Sequence, residues 1–170
     1  SHRTGVSRGP DGVVAGALEA IGEVARKAGG RIESIGLGIP GAVRGGLVEH
    51  ARNLDIESLD LGGALTEALG QDVRVCNDVN AAALGAWAVR GGTAESFAYL
   101  NLGTGLAAGL VLDGRLWEGV GGVAGEIGYI SSDPDGPDFV EGLPGALEAY
   151  ASGSGVAAQW GVDGATARAV

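Results

Sequence analysis

Residues 101–114 read NLGTGLAAGLVLDG, a glycine loop (Gly103-Thr104-Gly105) set between runs of strand-forming residues. Which kind of glycine loop this is decides the fold. A dinucleotide fingerprint needs a strand, the glycine turn and then a helix whose N-terminus meets the pyrophosphate. Here the loop runs into Leu106–Leu112, a β-type stretch, and then into Asp113-Gly114, a strong two-residue hairpin signal. Glu126 follows at a spacing that suits a ribose-binding acid, but with no helix after the loop it cannot serve as one. A Walker A loop needs Gly-Lys-Ser or Gly-Lys-Thr, and neither occurs. Two readings stay open on these residues alone. One is a hairpin whose tip offers backbone N–H groups and the Thr104 hydroxyl to phosphate. The other is a glycine-eased turn with no ligand.

Outward from the loop, the texture changes near Gly92. Upstream, helical and strand patterns alternate. Val13, Val14, Ala17, Leu18, Ile21, Val24 and Ala25 recur at helical spacing, with Asp11 placed to cap the start and Gly29-Gly30 to end it. IESIGLGI reads as a strand stopped by Pro40-Gly41, and GLVEHA as a short strand. ARNLDIESLD, rich in acids, reads as a solvated segment. LGGALTEALG reads as a short helix, DVRVC as an alternating strand, and VNAAALGAWAVRGG as an alanine-rich helix. Downstream, SFAYLNLG and GLAAGLVLDG are two strands leading into RLWEG. VGGVAGEIGYI and SSDPDGPDFVEG read as loop and short strand, and LPGALEAYASGSGVAAQW as a helix loosened at Gly153 and Gly155. The expected class is α/β in two lobes: residues 1–95 as an α/β lobe, and residues 96–170 as the start of a second lobe built on the glycine hairpin.

Composition narrows the function. The 170 residues are 45% hydrophobic and carry a formal charge of −10. An acidic chain lacks the basic footprint that a nucleic-acid backbone requires, so no nucleic-acid partner is expected. No apolar run approaches the roughly 20 residues that span a bilayer, so no membrane partner is expected either. SHRTGVSRGP has no signal-peptide core, and Cys76 is the single cysteine, which fits a reducing cytoplasm. Cys76 reads as a small apolar group in its strand, His2 and His50 as solvated or locally bonded imidazoles, and Trp87, Trp117 and Trp160 as core or interface residues.

Asp78 stands where a strand gives way to a helix. Such a carboxylate either caps the helix or faces a ligand at the strand end, where it could take a proton from a hydroxyl. The order of five blocks favours the second role. GLGIPGAV, VCNDVNAAALGAW, YLNLGTGLAAGLVLDGRLWEG, GGVAGEIGY and GALEAYASG together resemble the ROK family (repressor, open reading frame, kinase), from about Thr4 to Trp160. That family includes bacterial glucokinases, fructokinases, N-acetylhexosamine kinases and sugar-responsive repressors.

The resemblance implies an actin-like ATPase (ribonuclease H-like) fold, here partial. It implies ATP-dependent phosphorylation of a hexose or N-acetylhexosamine with ATP and Mg²⁺, by a cytoplasmic homo-oligomer whose partners are a sugar and a nucleotide. The alternative it leaves is the non-catalytic sugar-sensing module of a ROK-type transcriptional repressor. Asp78 matches the family's catalytic base, and Asn77 a sugar-binding amide. Glu126 and Glu148 match carboxylates that accept from ring hydroxyls, and Gly41 matches a turn whose backbone approaches the sugar. Gly103, Thr104 and Gly105 match the second phosphate-binding hairpin of the fold. Three departures accompany these matches. Tyr129, Phe139, Glu141 and Ala146 occupy the family's zinc-ligand positions, so no zinc is expected, and packing of Tyr129 with Phe139 is expected to hold that loop. Tyr129 also replaces a histidine that touches the sugar in many members, which changes the reach of that contact. Finally, no Asp-x-Gly-Gly-Thr hairpin is present and the chain stops before the adenosine-binding part, so it is expected to be a segment of a longer protein.

Overall fold

A computed structural model describes residues 9–140 and 143–160, Phe139 and Val140 by backbone alone. Helix α1 (Gly9–Ala28) turns Val13, Val14, Ala17, Leu18 and Ile21 toward the core, as their spacing predicts. Val24 continues that spacing yet is 66% exposed, so the buried stripe ends a turn early. Asp11 lies inside the first turn and not at the cap, where its charge still complements the helix dipole, as Arg26 and Lys27 do at the other end. Gly29, at φ +64°, ends the helix. Gly16 sits mid-helix, with open space where a Cβ would project. Gly16→Ala is therefore expected to raise stability by about 0.5–1 kcal/mol, read as a higher urea midpoint at unchanged slope.

Strand β1 (Ile35–Ile39) leads through Pro40-Gly41 into β2 (Ala42–Arg44), which pairs antiparallel with β3 (Leu47–Ala51). Gly45 and Gly46 both have positive φ, as a two-residue hairpin of this twist requires. Strand β4 (Ile56–Asp60) pairs antiparallel with β3, which corrects the reading of ARNLDIESLD as solvated. Leu54 and Ile56 are 6% and 2% exposed and join the core, while Glu57 and Asp60 face water from this edge strand and Asp55 from the 3-10 turn before it. Their charge hid the two apolar anchors, although acids along a solvent-facing edge are what keeps such an edge from pairing with other chains. Asp60 then caps helix α2 (Leu61–Leu69), its Oδ1 accepting from Gly63 N at 2.9 Å.

Strand β5 (Val73–Asn77) runs parallel to β1 in the register Ile35↔Val73 to Ile39↔Asn77. Leu61 and Leu65, fully buried, pack with Val48, Ile39, Val43 and Val73 under α1. These elements form one compact unit, Ser1–Asp78; the second is Val79–Val170. Compactness thus divides the chain after the first residue of helix α3 (Asp78–Val89), whereas the change of texture in the sequence comes after the helix.

In the second unit, β6 (Ser96–Leu102) and β7 (Leu106–Leu112) form the expected hairpin, in register from Ser96↔Leu112 to Leu102↔Leu106. Asp113 and Gly114 have φ +49° and +73°, the pair of left-handed residues a type I′ turn demands, and β8 (Arg115–Leu116) follows. The division of the chain follows from α3, which packs on β7. A Cβ on Gly109 would overlap the Ala83 side chain and lie 2.9 Å from Val79 O, so helix and strand backbones nearly touch. Trp87 is half-buried beside Gly92 and Gly114, and its Nε1 donates to Ala94 O at 3.0 Å. Trp117 and Trp160, 55% and 70% exposed, are not core residues of this structure.

Short strands β9 (Asp138–Val140) and β10 (Leu143–Pro144) pair antiparallel. The single loosened helix expected at the end is two: α4 (Leu147–Ala151) and α5 (Gly153–Gln159). The break falls at Ser152, not at the glycines. Its backbone is extended (φ −86°, ψ 164°), and its Oγ accepts from Gly155 N at 2.9 Å, so a competing cap stops one helix and starts the next.

Candidate functional site

The candidate residues fall into two groups, one in each unit. Gly41, Asn77 and Asp78 belong to the first. Gly41 has φ +109°, and a Cβ there would lie 2.9 Å from Ala51 Cβ and 3.0 Å from Glu49 O. No side chain fits, because the turn presses on β3. Its carbonyl accepts from Asn77 Nδ2 at 3.1 Å, so Asn77, 8% exposed at the end of β5, ties this turn to the strand. Asp78 comes next. It is exposed at the first residue of α3, at the carboxyl end of a parallel strand, which is where open α/β sheets place groups that meet ligands. His50 is exposed, its Nδ1 lying 3.2 Å from Glu57 Oε1 at the surface, while His2 lies outside the described residues. Cys76 is half-buried, with Sγ 3.4 Å from Asn77 O.

The second group surrounds the start of β7. Glu148, on α4, accepts from Leu106 N through Oε2 at 2.7 Å. That side chain crowds two glycines. A Cβ on Gly105 would stand 3.0 Å from Glu148 Oε2, and one on Gly128 would stand 2.7 Å from the same oxygen and 2.6 Å from the backbone oxygen of Leu106. Glu126 lies between Gly125, whose carbonyl accepts from Ala108 N at 2.7 Å, and the 3-10 turn Ile127–Tyr129. The GEIG segment is thereby bonded to β7 at Gly125 and lies close to Glu148 at Gly128. Tyr129 is 43% exposed.

At the hairpin tip, the carbonyls of Gly103 and Thr104 both turn toward the beginning of α5. Gly153 N donates to Gly103 O at 2.8 Å, and Thr104 O accepts from Ser154 Oγ at 2.6 Å and from Ser154 N at 3.3 Å. A trans peptide is planar, so each carbonyl points opposite to the N–H of the next residue. The N–H groups of Thr104 and Gly105 therefore point away from α5, and among the described residues no group accepts from either. Two adjacent amides thus point away from α5 beside the threonine side chain. Gly103 and Gly105 are not left-handed here; Gly105 is needed for the close approach of Glu148.

Of the four zinc-ligand positions, Ala146 is fully buried and Tyr129 is exposed, while Glu141 and the side chain of Phe139 lie outside the described residues, and with them the expected Tyr129–Phe139 packing. Among the described residues no group of three or more His, Cys, Asp or Glu side chains is placed to hold a metal ion. Hydrogen bonds tie the loop before α4. Tyr150 donates to Asp133 Oδ2 at 3.1 Å, and Ser132 Oγ to Gly145 O at 3.1 Å. Desolvation, then the hydrogen bond to Asp133 and its negative charge, hold the Tyr150 hydroxyl above the usual tyrosine range.

A model of the ROK family matches residues 4–169. The chain belongs to the ROK family. Relatives include glucokinases and N-acetylmannosamine kinases. The glucokinase of Halalkalibacterium halodurans is 40% identical over 127 residues, 72% of this chain and 38% of that enzyme. Among solved structures, a ROK family glucokinase from Streptomyces griseus in complex with glucose and AMPPNP is similar at 31% identity and TM-score 0.76, over 90% of this chain and 49% of that one. A ROK family transcriptional regulator, a homologue of the Escherichia coli MLC protein, is similar at 32% identity and TM-score 0.77, over 88% of this chain and 39% of that one. This ROK chain thus carries part of the actin-like ATPase fold of the ROK kinases, and spans about half or less of the length of the relatives it matches. No helix among its described residues is long and apolar enough to cross a membrane.

Proposed function

We propose that this ROK chain serves the ATP-dependent phosphorylation of a hexose or an N-acetylhexosamine, in the cytoplasm and as a homo-oligomer. The observation that carries the reading is the pair of outward amides at Thr104 and Gly105, an anion-gripping tip on a hairpin within a kinase-like fold. In this reading Asp78 takes the proton of the attacking sugar hydroxyl as its oxygen bonds to the γ-phosphorus. The bond from that phosphorus to the β,γ-bridging oxygen breaks, and ADP leaves with the electron pair. Glu126 and Glu148 accept from ring hydroxyls, the second through the oxygen it does not give to Leu106. Asn77 holds the Gly41 turn against the sugar while Tyr129 offers a hydroxyl at the rim. The amides of Thr104 and Gly105 take phosphate oxygens. Magnesium, which needs one or two protein carboxylates when ATP and water supply the other ligands, neutralises phosphate charge when bound.

The test is a mass-spectrometric assay of the protein at its natural length with Mg²⁺-ATP and a panel of glucose, mannose, N-acetylglucosamine and N-acetylmannosamine. Sugar phosphate and ADP formed in equal amounts with at least one sugar is the expected result. The similarity to a transcriptional regulator favours a second reading, a non-catalytic sugar sensor. Calorimetric binding of a sugar without any phosphorylation would support that reading and overturn the first. Silence to every sugar in both measurements would overturn both.

A further inference from the structure

Ser152-Gly153-Ser154 belongs to none of the roles proposed above, yet every carbonyl that the glycine tip turns inward lands on it. Gly153 N takes Gly103 O, and Ser154 takes Thr104 O twice, through N and Oγ. The turn is itself made rigid from behind. Ser152 is fully buried and caps α5 through Gly155 N, and its Oγ lies 3.0 Å from Ser154 Oγ. A Cβ on Gly155 would collide with Ala149 O, so α4 and the start of α5 are in backbone contact. The same α4 carries Glu148, which grips Leu106 N at the base of the hairpin. One short stretch of chain therefore holds the loop at both ends, by its carbonyls at the tip and by an amide at its foot.

We infer that Ser152–Ser154 is the positioning element of the Gly103–Gly105 tip, with Ser154 as its decisive side chain, and that it presets the Thr104 and Gly105 amides for a chain of phosphoryl groups. The inference rests on the proposed phosphate role of that tip and goes beyond it by naming what aims it. Without the Ser154 hydroxyl, Thr104 O keeps only the longer bond from Ser154 N, and the peptide that carries the Gly105 amide is held less firmly in its orientation. That looser hold spreads the two amides over more directions, so binding an anion must first reorder them. Alanine removes only the hydroxyl from an exposed position, and threonine restores it.

Inorganic tripolyphosphate with Mg²⁺ is the probe, titrated calorimetrically into the wild-type chain, S154A and S154T, alongside amide hydrogen exchange of each without ligand. S154A is expected to bind about three- to tenfold more weakly, the worth of one such hydrogen bond. It is also expected to exchange faster at Gly153 and Ser154, whose amides donate to the carbonyls of the tip, and S154T to recover on both counts. Unchanged tripolyphosphate affinity in S154A overturns the inference, whatever the exchange shows. A wild-type chain that ignores tripolyphosphate instead overturns the phosphate role of the tip itself. Exchange at Gly153 and Ser154 that is the same in S154A and wild type then rejects the positioning role as well.

Discussion

Asp78→Asn is expected to lower kcat for sugar phosphorylation by about 10²–10⁴-fold, the usual worth of a positioned general base. Asparagine matches aspartate in shape and keeps one oxygen that can accept from a sugar hydroxyl, but it cannot take the proton as the hydroxyl attacks phosphorus. The loss should therefore appear in kcat, with sugar affinity nearly unchanged, because the interaction removed is one made in the transition state. The fold should tolerate the change. Asp78 is exposed, and at the first position of α3 the lost charge costs the helix about 0.3–1 kcal/mol. Steady-state kinetics together with direct sugar titration separate the two effects. Full activity in the asparagine variant would remove Asp78 from the mechanism, and a rise in sugar Kd at constant kcat would make it a ligand and not a base.

What could be read in advance divides along physical lines. The β6–β7 hairpin and its Asp113-Gly114 turn were legible because their determinants are local: strand-forming runs, and a turn type that only certain residues enter. Strand β4 was not, because two buried residues, Leu54 and Ile56, sit among acids whose partner strand lies earlier in the chain. The break between α4 and α5 was visible as weakness at the glycines, but its cause is the Ser152 hydroxyl competing for the backbone. At the site, resemblance supplied which residues to examine, and local spacing could not supply how they are held. The bonds from Asn77 to Gly41, from Leu106 to Glu148 and from Ser154 to Thr104 each join distant parts of the chain. The one signal for the last was the pattern SGSG at Ser152–Gly155, serine placed where a helix restarts.

Gly125→Ala should be the most destabilising single methyl that can be added to the candidate site. Gly125 has φ +94°, a conformation that costs an alanine about 1–2 kcal/mol before any contact is considered. The added Cβ would overlap the carbonyl oxygen of Ala108 and stand 2.8 Å from its carbon, and both atoms are backbone in β7 that cannot swing aside. Relief requires the GEIG segment to leave the strand. That breaks the 2.7 Å bond from Ala108 N to Gly125 O and leaves two half-buried polar groups to find new partners, about 1–3 kcal/mol more. A loss of about 2–5 kcal/mol in the second unit follows, large against the ~5–15 kcal/mol that holds a typical domain. The urea midpoint of the variant should fall accordingly, while Gly16→Ala, the same methyl placed in open space, should raise it. The consequence for function differs from that of Asp78→Asn. Any Gly125→Ala protein that stays folded has Glu126 displaced from β7, so sugar affinity should fall along with kcat. An unchanged midpoint with native sugar binding would mean that the GEIG segment is not pressed against Ala108, and that the glycine there answers to something other than this contact.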